Sequence, residues 1–172
     1  MKRFASVAVV TLILTAGCDD SPTTPSDPNV VVLTSSLLSS NEVPPVSNDD
    51  APARGSVRVT FNVNRDSGNN ITGGTATFFF SMTGFPEGTT LTGAHIHPGA
   101  AGVNGSVIIN TGLTTANAAG AIVNGGANLT YTTSVTAAAL NAVLANPGNH
   151  YFNVHTTRNP GGAIRGQLQV EN

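Results

Sequence analysis

Three of the four histidines in this chain fall in two short segments, His95-Ile96-His97 and Tyr151-Phe152-Asn153-Val154-His155-Thr156. A neutral imidazole nitrogen ligates copper or zinc well, and histidines at i and i+2 on a β-strand project from one face. Both segments alternate as strands do. Ala94 and Ile96 oppose His95 and His97, and Phe152 and Val154 oppose Tyr151, Asn153 and His155. If the two strands are neighbours, His95, His97 and His155 share one polar patch outside the core. His150 is five residues before His155, so a regular strand turns it to the opposite face. Two chemistries fit. One is a mononuclear copper or zinc site. The other is a structural network in which Asn153 and Thr156 partner the rings, or a metal-free recognition surface that adds Tyr151 and Arg165. Shared metal–nitrogen bonds of about 2 Å require the three ligand atoms to lie within roughly 4 Å of one another.

The elements that must position these residues read as short strands and tight turns. Val30–Leu33 runs toward Leu37-Leu38, and Asn41-Glu42-Val43-Pro44-Pro45 ends that strand in a rigid, extended path. Gly55–Asn64 alternates cleanly, with Val57, Val59, Phe61 and Val63 on one face. Arg65–Asn70 is a hairpin turn, and Ile71–Met82 resumes as a strand. Leu91–His97, Ser106–Asn110, Ala121–Val123, Leu129–Thr132, Tyr151–His155 and Ala163–Val170 complete the set. Asp49-Asp50 lies in a loop of small residues and reads as solvated. Thr136–Ala145 is the exception to the strand pattern: it carries helix formers, Thr136 can cap it, and Asn146-Pro147-Gly148 stops it. The expectation is an antiparallel β-sandwich or Greek-key barrel of eight to ten strands with one short helix.

Composition narrows the class. The 172 residues suffice for one domain, only 9% are charged, and there are nineteen glycines, ten prolines and no tryptophan. Lys2 and Arg3 precede the apolar run Val7–Leu14, and Leu14-Thr15-Ala16-Gly17-Cys18 resembles a bacterial lipobox. The expected organisation is a signal peptide over 1–17, a lipidated Cys18 with a proline-rich tether over 18–29, and a β domain over 30–172. Cys18 would hold the protein at a membrane of the bacterial cell envelope, facing periplasm or exterior. Loss of Lys2 and Arg3 takes the formal charge from −2 to −4 and leaves no lysine, which argues against nucleic-acid binding.

Four motifs recur together in a known order: Asn41-Glu42-Val43-Pro44-Pro45, Ala94-His95-Ile96-His97, Tyr151–Thr156 and Pro160-Gly161-Gly162-Ala163-Ile164-Arg165-Gly166-Gln167. In order and spacing they resemble the CHRD domain, named for chordin and present in many bacterial secreted proteins. The resemblance covers about residues 31–170. It implies an extracytoplasmic all-β domain, in animals one of extracellular signalling proteins. The family turn usually reads Gly-Glu-Ile-Arg, and here Ala163 replaces the Glu.

Arg165 is one residue out of phase with Ile164, Gly166 and Leu168, so it belongs to the polar face. There it is expected to clamp Glu42 in a bidentate pair joining the first and last parts of the domain. The His-x-His pair also resembles the copper-binding pair of copper–zinc superoxide dismutases, but no bridging histidine, nearby Asp ligand or disulfide accompanies it. No nucleophile motif or phosphate-binding loop appears. The leading expectation is therefore a non-enzymatic binding or structural module with a protein or glycan partner. The second is a copper- or zinc-binding or redox protein centred on His95, His97 and His155.

Overall fold

The computed structural model describes residues 27–171. The expected signal peptide, Cys18 and the tether up to residue 26 lie outside the described residues. Nine strands form one antiparallel sheet: β1 (Val30–Leu38), β2 (Arg54–Arg65), β3 (Ile71–Thr83), β4 (Leu91–Pro98), β5 (Ile109–Asn110), β6 (Ala127–Thr136), β7 (His150–Thr156), β8 (Ile164–Gln167) and β9 (Gln169–Val170). Their order is β5-β4-β7-β8-β1-β2-β3-β6, with β9 also paired to β1. The sheet curls into a nearly closed barrel. Its edge strands β5 and β6 face each other across a narrow cleft that Ala139 also lines.

Period-2 patterning decides which side chains enter the barrel. Val57, Val59, Phe61 and Val63 of β2 are buried, as their alternation predicts, and so are Ala76, Phe78 and Phe80 of the paired β3. Phe152 of β7 reaches them across the interior, with ring centroids 5.8 Å from Phe78 and 5.4 Å from Phe80. Ala94 and Ile96 of β4 join the same core. A large apolar side chain buried this fully contributes about 2 kcal/mol, so these rings fix the register of β4 and β7. The one α-helix among the described residues, α1 (Ala137–Ala145), starts where expected: the Thr136 hydroxyl accepts from Ala139 N. It packs on β3 and β6 and buries Leu140 and Val143.

Three expected strands are shorter or broken. Ser106–Asn110 is a strand only at Ile109 and Asn110, with Ile108 N donating to Ile96 O at 2.9 Å just before it, and Val107 is exposed. Ala121–Val123 makes a lone bridge, Val123 to Gly126. The last strand divides at Leu168, whose N–H turns to His150 O at 2.9 Å.

Candidate metal centre

Backbone pairing brings the histidines together. Strands β4 and β7 are antiparallel neighbours, with His95 opposite Asn153, His97 opposite Tyr151 and Gly93 opposite His155. The apolar residues of both strands face into the barrel, so the three rings stand on its outer wall. That wall is not open to solvent, since His97 and His155 are 7% and 9% exposed. Every residue of β7 is buried on both faces, which alternation alone does not reveal.

Each ring is held by a specific acceptor. The His97 Nδ1–H donates to Gly105 O at 2.9 Å, and the His155 Nδ1–H donates to Pro160 O at 2.9 Å. A carbonyl can only accept, so both neutral rings carry the lone pair on Nε2. His95 Nδ1 lies 3.0 Å from His155 Nε2, and Asn153 Oδ1 lies 3.0 Å from the same nitrogen. One nitrogen from each ring falls within 4.8 Å of the others. That is wider than the roughly 4 Å span two ligands of one ion allow, and a ring movement of about 1 Å closes it. His97 Nε2 is buried and has no hydrogen-bond partner among the described residues.

The electrostatics favour neutral rings. Burial, then the rings of His155 and His97, pushes His95 down from 6.5 to about 4. Burial also lowers His97 and His155. All three are uncharged at neutral pH, so each ring keeps a lone pair; that of His155 Nε2 faces His95 Nδ1, and the His95 ring must turn before a metal ion can meet it.

Support comes from a stack. The His97 ring lies parallel to Tyr151 at 4.9 Å and 3°, and the Arg165 guanidinium carbon sits 3.4 Å from the centre of the Tyr151 ring. Arg165 grips the 99–105 loop through Asn104 Oδ1 (2.9 Å), Val103 O (2.7 Å) and Ala100 O (3.2 Å). That loop carries the Gly105 carbonyl that orients His97, so Arg165 positions a ring it never touches.

Two expected partnerships are corrected. Arg165 does not clamp Glu42: its guanidinium is committed to the 99–105 loop, and Asn41 makes the link instead by donating to Arg165 O at 3.1 Å. Thr156 does not serve the histidines, because its hydroxyl donates to Asp50 Oδ2 at 2.8 Å. Asp50 is itself fully buried rather than solvated, since Arg158, Asn159 and Thr156 all close on it. His150 stays apart from the trio, tied to Asn146 O. Ala163, where the family turn usually has Glu, is fully buried.

Sequence reasoning missed Gly93. A β-carbon there would lie 2.9 Å from His95 Cε1, so this glycine is the floor on which the ring rests. A glycine inside a strand, two residues from a histidine, was the available signal.

A family description, CHRD domain, matches residues 33–168 of the chain. No curated protein and no solved structure matches it.

Proposed function

The chain belongs to the CHRD domain family, and from that premise we propose an extracytoplasmic binding module, held at a bacterial membrane by lipid on Cys18, that takes up one copper or zinc ion through His95, His97 and His155. The observation that carries this reading is His97 Nε2: a buried lone pair without a partner, on a ring whose other nitrogen donates to a backbone carbonyl. Metal-bound histidines are oriented in this way, with the second N–H on a carbonyl or carboxylate. In a purely structural network the same atom would cost about 1–3 kcal/mol of unrecovered desolvation.

Three imidazoles suit copper and zinc and offer little to calcium or magnesium, which take oxygen ligands. No Cys, Asp or Glu of the described residues joins the trio. The reading is of a binding site, not a catalytic one, in a family not known for enzymes.

The experiment is a titration of the purified protein with copper(II) and zinc, followed by thermal unfolding, beside His95→Ala/His97→Ala. Saturation at one ion per chain is expected, with metal-dependent stabilisation that the double variant lacks. Binding that is absent, or equal in both proteins, overturns the reading.

A further inference from the structure

The segment after β1 holds a second buried polar group with no partner. Glu42 is 5% exposed, and none of its carboxyl oxygens accepts a hydrogen bond from a described residue; Oε1 is wholly buried. Its position is enforced from both sides. Asn41 is tied to Arg165 O, and Val43 O accepts from the Asn104 amide at 2.8 Å. Gly162 makes room, since a β-carbon there would come within 2.6 Å of the carboxyl group. Desolvation of such a group is costly unless something compensates it. No arginine hydrogen-bonds it: the Arg165 guanidinium, whose charge acts on Glu42 only from a distance, holds the 99–105 loop, and Arg158 holds Asp50 at 2.7 Å.

Glu42 lies at the junction of two cavities, of about 310 and 440 Å³. The larger has no cationic residue in its lining, and its two amide side chains are already directed. Asn41 Nδ2 donates to Arg165 O, and Gln167 Nε2 donates to Gly99 O and Gly148 O, both at 2.9 Å. Their amide oxygens, the Ser40 hydroxyl and the Glu42 carboxylate remain, so each polar side chain of the lining offers an oxygen that can accept, and the one ionisable group among them is an acid. Val43 and Pro45 supply an apolar wall.

We propose that this cavity binds an organic cation, an ammonium or guanidinium group on a short alkyl stem, with Glu42 as its counter-ion. A donor-only, positively charged head is matched by the Glu42 carboxylate and the neighbouring acceptor oxygens, and the stem lies on the apolar wall. The site shares no ligand group with the histidine trio, and the proposal does not rest on the metal reading.

The test is calorimetric titration of the protein with agmatine at pH 8, beside Glu42→Gln, N-butylurea as a neutral probe, and calcium as a competitor. Saturation at one agmatine per chain is expected, with affinity at least tenfold lower in Glu42→Gln and no binding of N-butylurea. The amide replacement has the same shape and no charge to bury, so the variant is expected to fold as the parent does. Ala101→Lys, at the exposed lip of the cavity, adds a competing ammonium and is expected to weaken agmatine several-fold. Absence of saturation, equal affinity in Glu42→Gln and Ala101→Lys, or stoichiometric displacement by calcium overturns the proposal. Capture of agmatine but not of peptides with exposed arginine would identify a free amine as the source; capture of both, with the peptide the tighter ligand, would identify a basic side chain of a protein.

Discussion

Asp50 and Glu42 lie eight residues apart on the connection between β1 and β2, both are buried carboxyl groups, and they are treated in opposite ways. Asp50 accepts from Thr156 Oγ1 at 2.8 Å, Asn159 Nδ2 at 2.7 Å and Arg158 Nη1 at 2.7 Å. It fastens the loop to the end of β7, where the turn that orients His155 begins. Glu42 accepts no hydrogen bond from a described residue, and its buried Oε1 is left without a partner. Burial therefore does not distinguish architecture from a ligand site; the fate of the lone pairs does. The described residues have two buried side-chain atoms without partners, Glu42 Oε1 and His97 Nε2. Each sits in one of the two proposed ligand sites.

The contrast is broken most directly at Asp50. Asp50→Ala leaves three converging donors without an acceptor, one of them, Thr156, fully buried, and is expected to cost about 3–5 kcal/mol in chemical denaturation. Glu42→Ala removes an unpartnered carboxyl and is expected to cost far less. Equal losses would mean that Glu42 is architectural as well.

Acid and base test Glu42 next. Burial raises Glu42 from 4.5 to about 7, against a smaller lowering by Arg165. The folded protein thus holds a proton that the unfolded chain has released. The associated stability is fully present below pH 4.5 and is lost as pH rises through about 7. The full swing is about 3 kcal/mol. Unfolding of Glu42→Gln measured from pH 5 to 8 should lack this decline and leave the variant the more stable protein at pH 8. A parallel decline in both proteins would assign the dependence to other groups.

How much of this was legible in the sequence follows from the range of the forces. The β2 alternation, the capped helix and the shared face of His95, His97 and His155 are local patterns that burial on one side of a sheet dictates, and the structure contains them. The role of Asp50 was not legible, because its three donors come from residues more than a hundred positions away. Nothing in Asn48-Asp49-Asp50 announces them. The Arg165–Glu42 pair failed for the same reason: opposite charges invite pairing on paper, whereas the 99–105 loop offered the guanidinium three acceptors first. The orphan state of His97 Nε2 depends on the Gly105 carbonyl, again a loop contact that periodicity does not encode.

Gly93 allows the histidine site to be tested without touching a ligand. Gly93→Ala places a methyl group 2.9 Å from His95 Cε1 and 3.2 Å from its Nε2. The backbone there tolerates alanine, so the ring must swing while the strand remains. Metal affinity is expected to fall about tenfold to a hundredfold, as it does when a ligand loses its orienting contact, with metal-free unfolding little changed. Unaltered affinity would show that His95 is not a ligand and would reduce the site to two rings.

The smallest effect is expected at Arg158, and it sharpens the reading of Asp50. The Arg158 side chain is 39% exposed, while the Asp50 side chain is fully buried. Its second amino group is 3.9 Å from Asp49, an exposed carboxylate that adds little. In Arg158→Ala, Asp50 keeps Thr156 and Asn159, and water can enter along the path the guanidinium leaves. The loss is expected to be about 1 kcal/mol in denaturant unfolding, well below that of Asp50→Ala. A loss as large as that of Asp50→Ala would show that charge, rather than the two neutral donors, keeps this carboxylate inside.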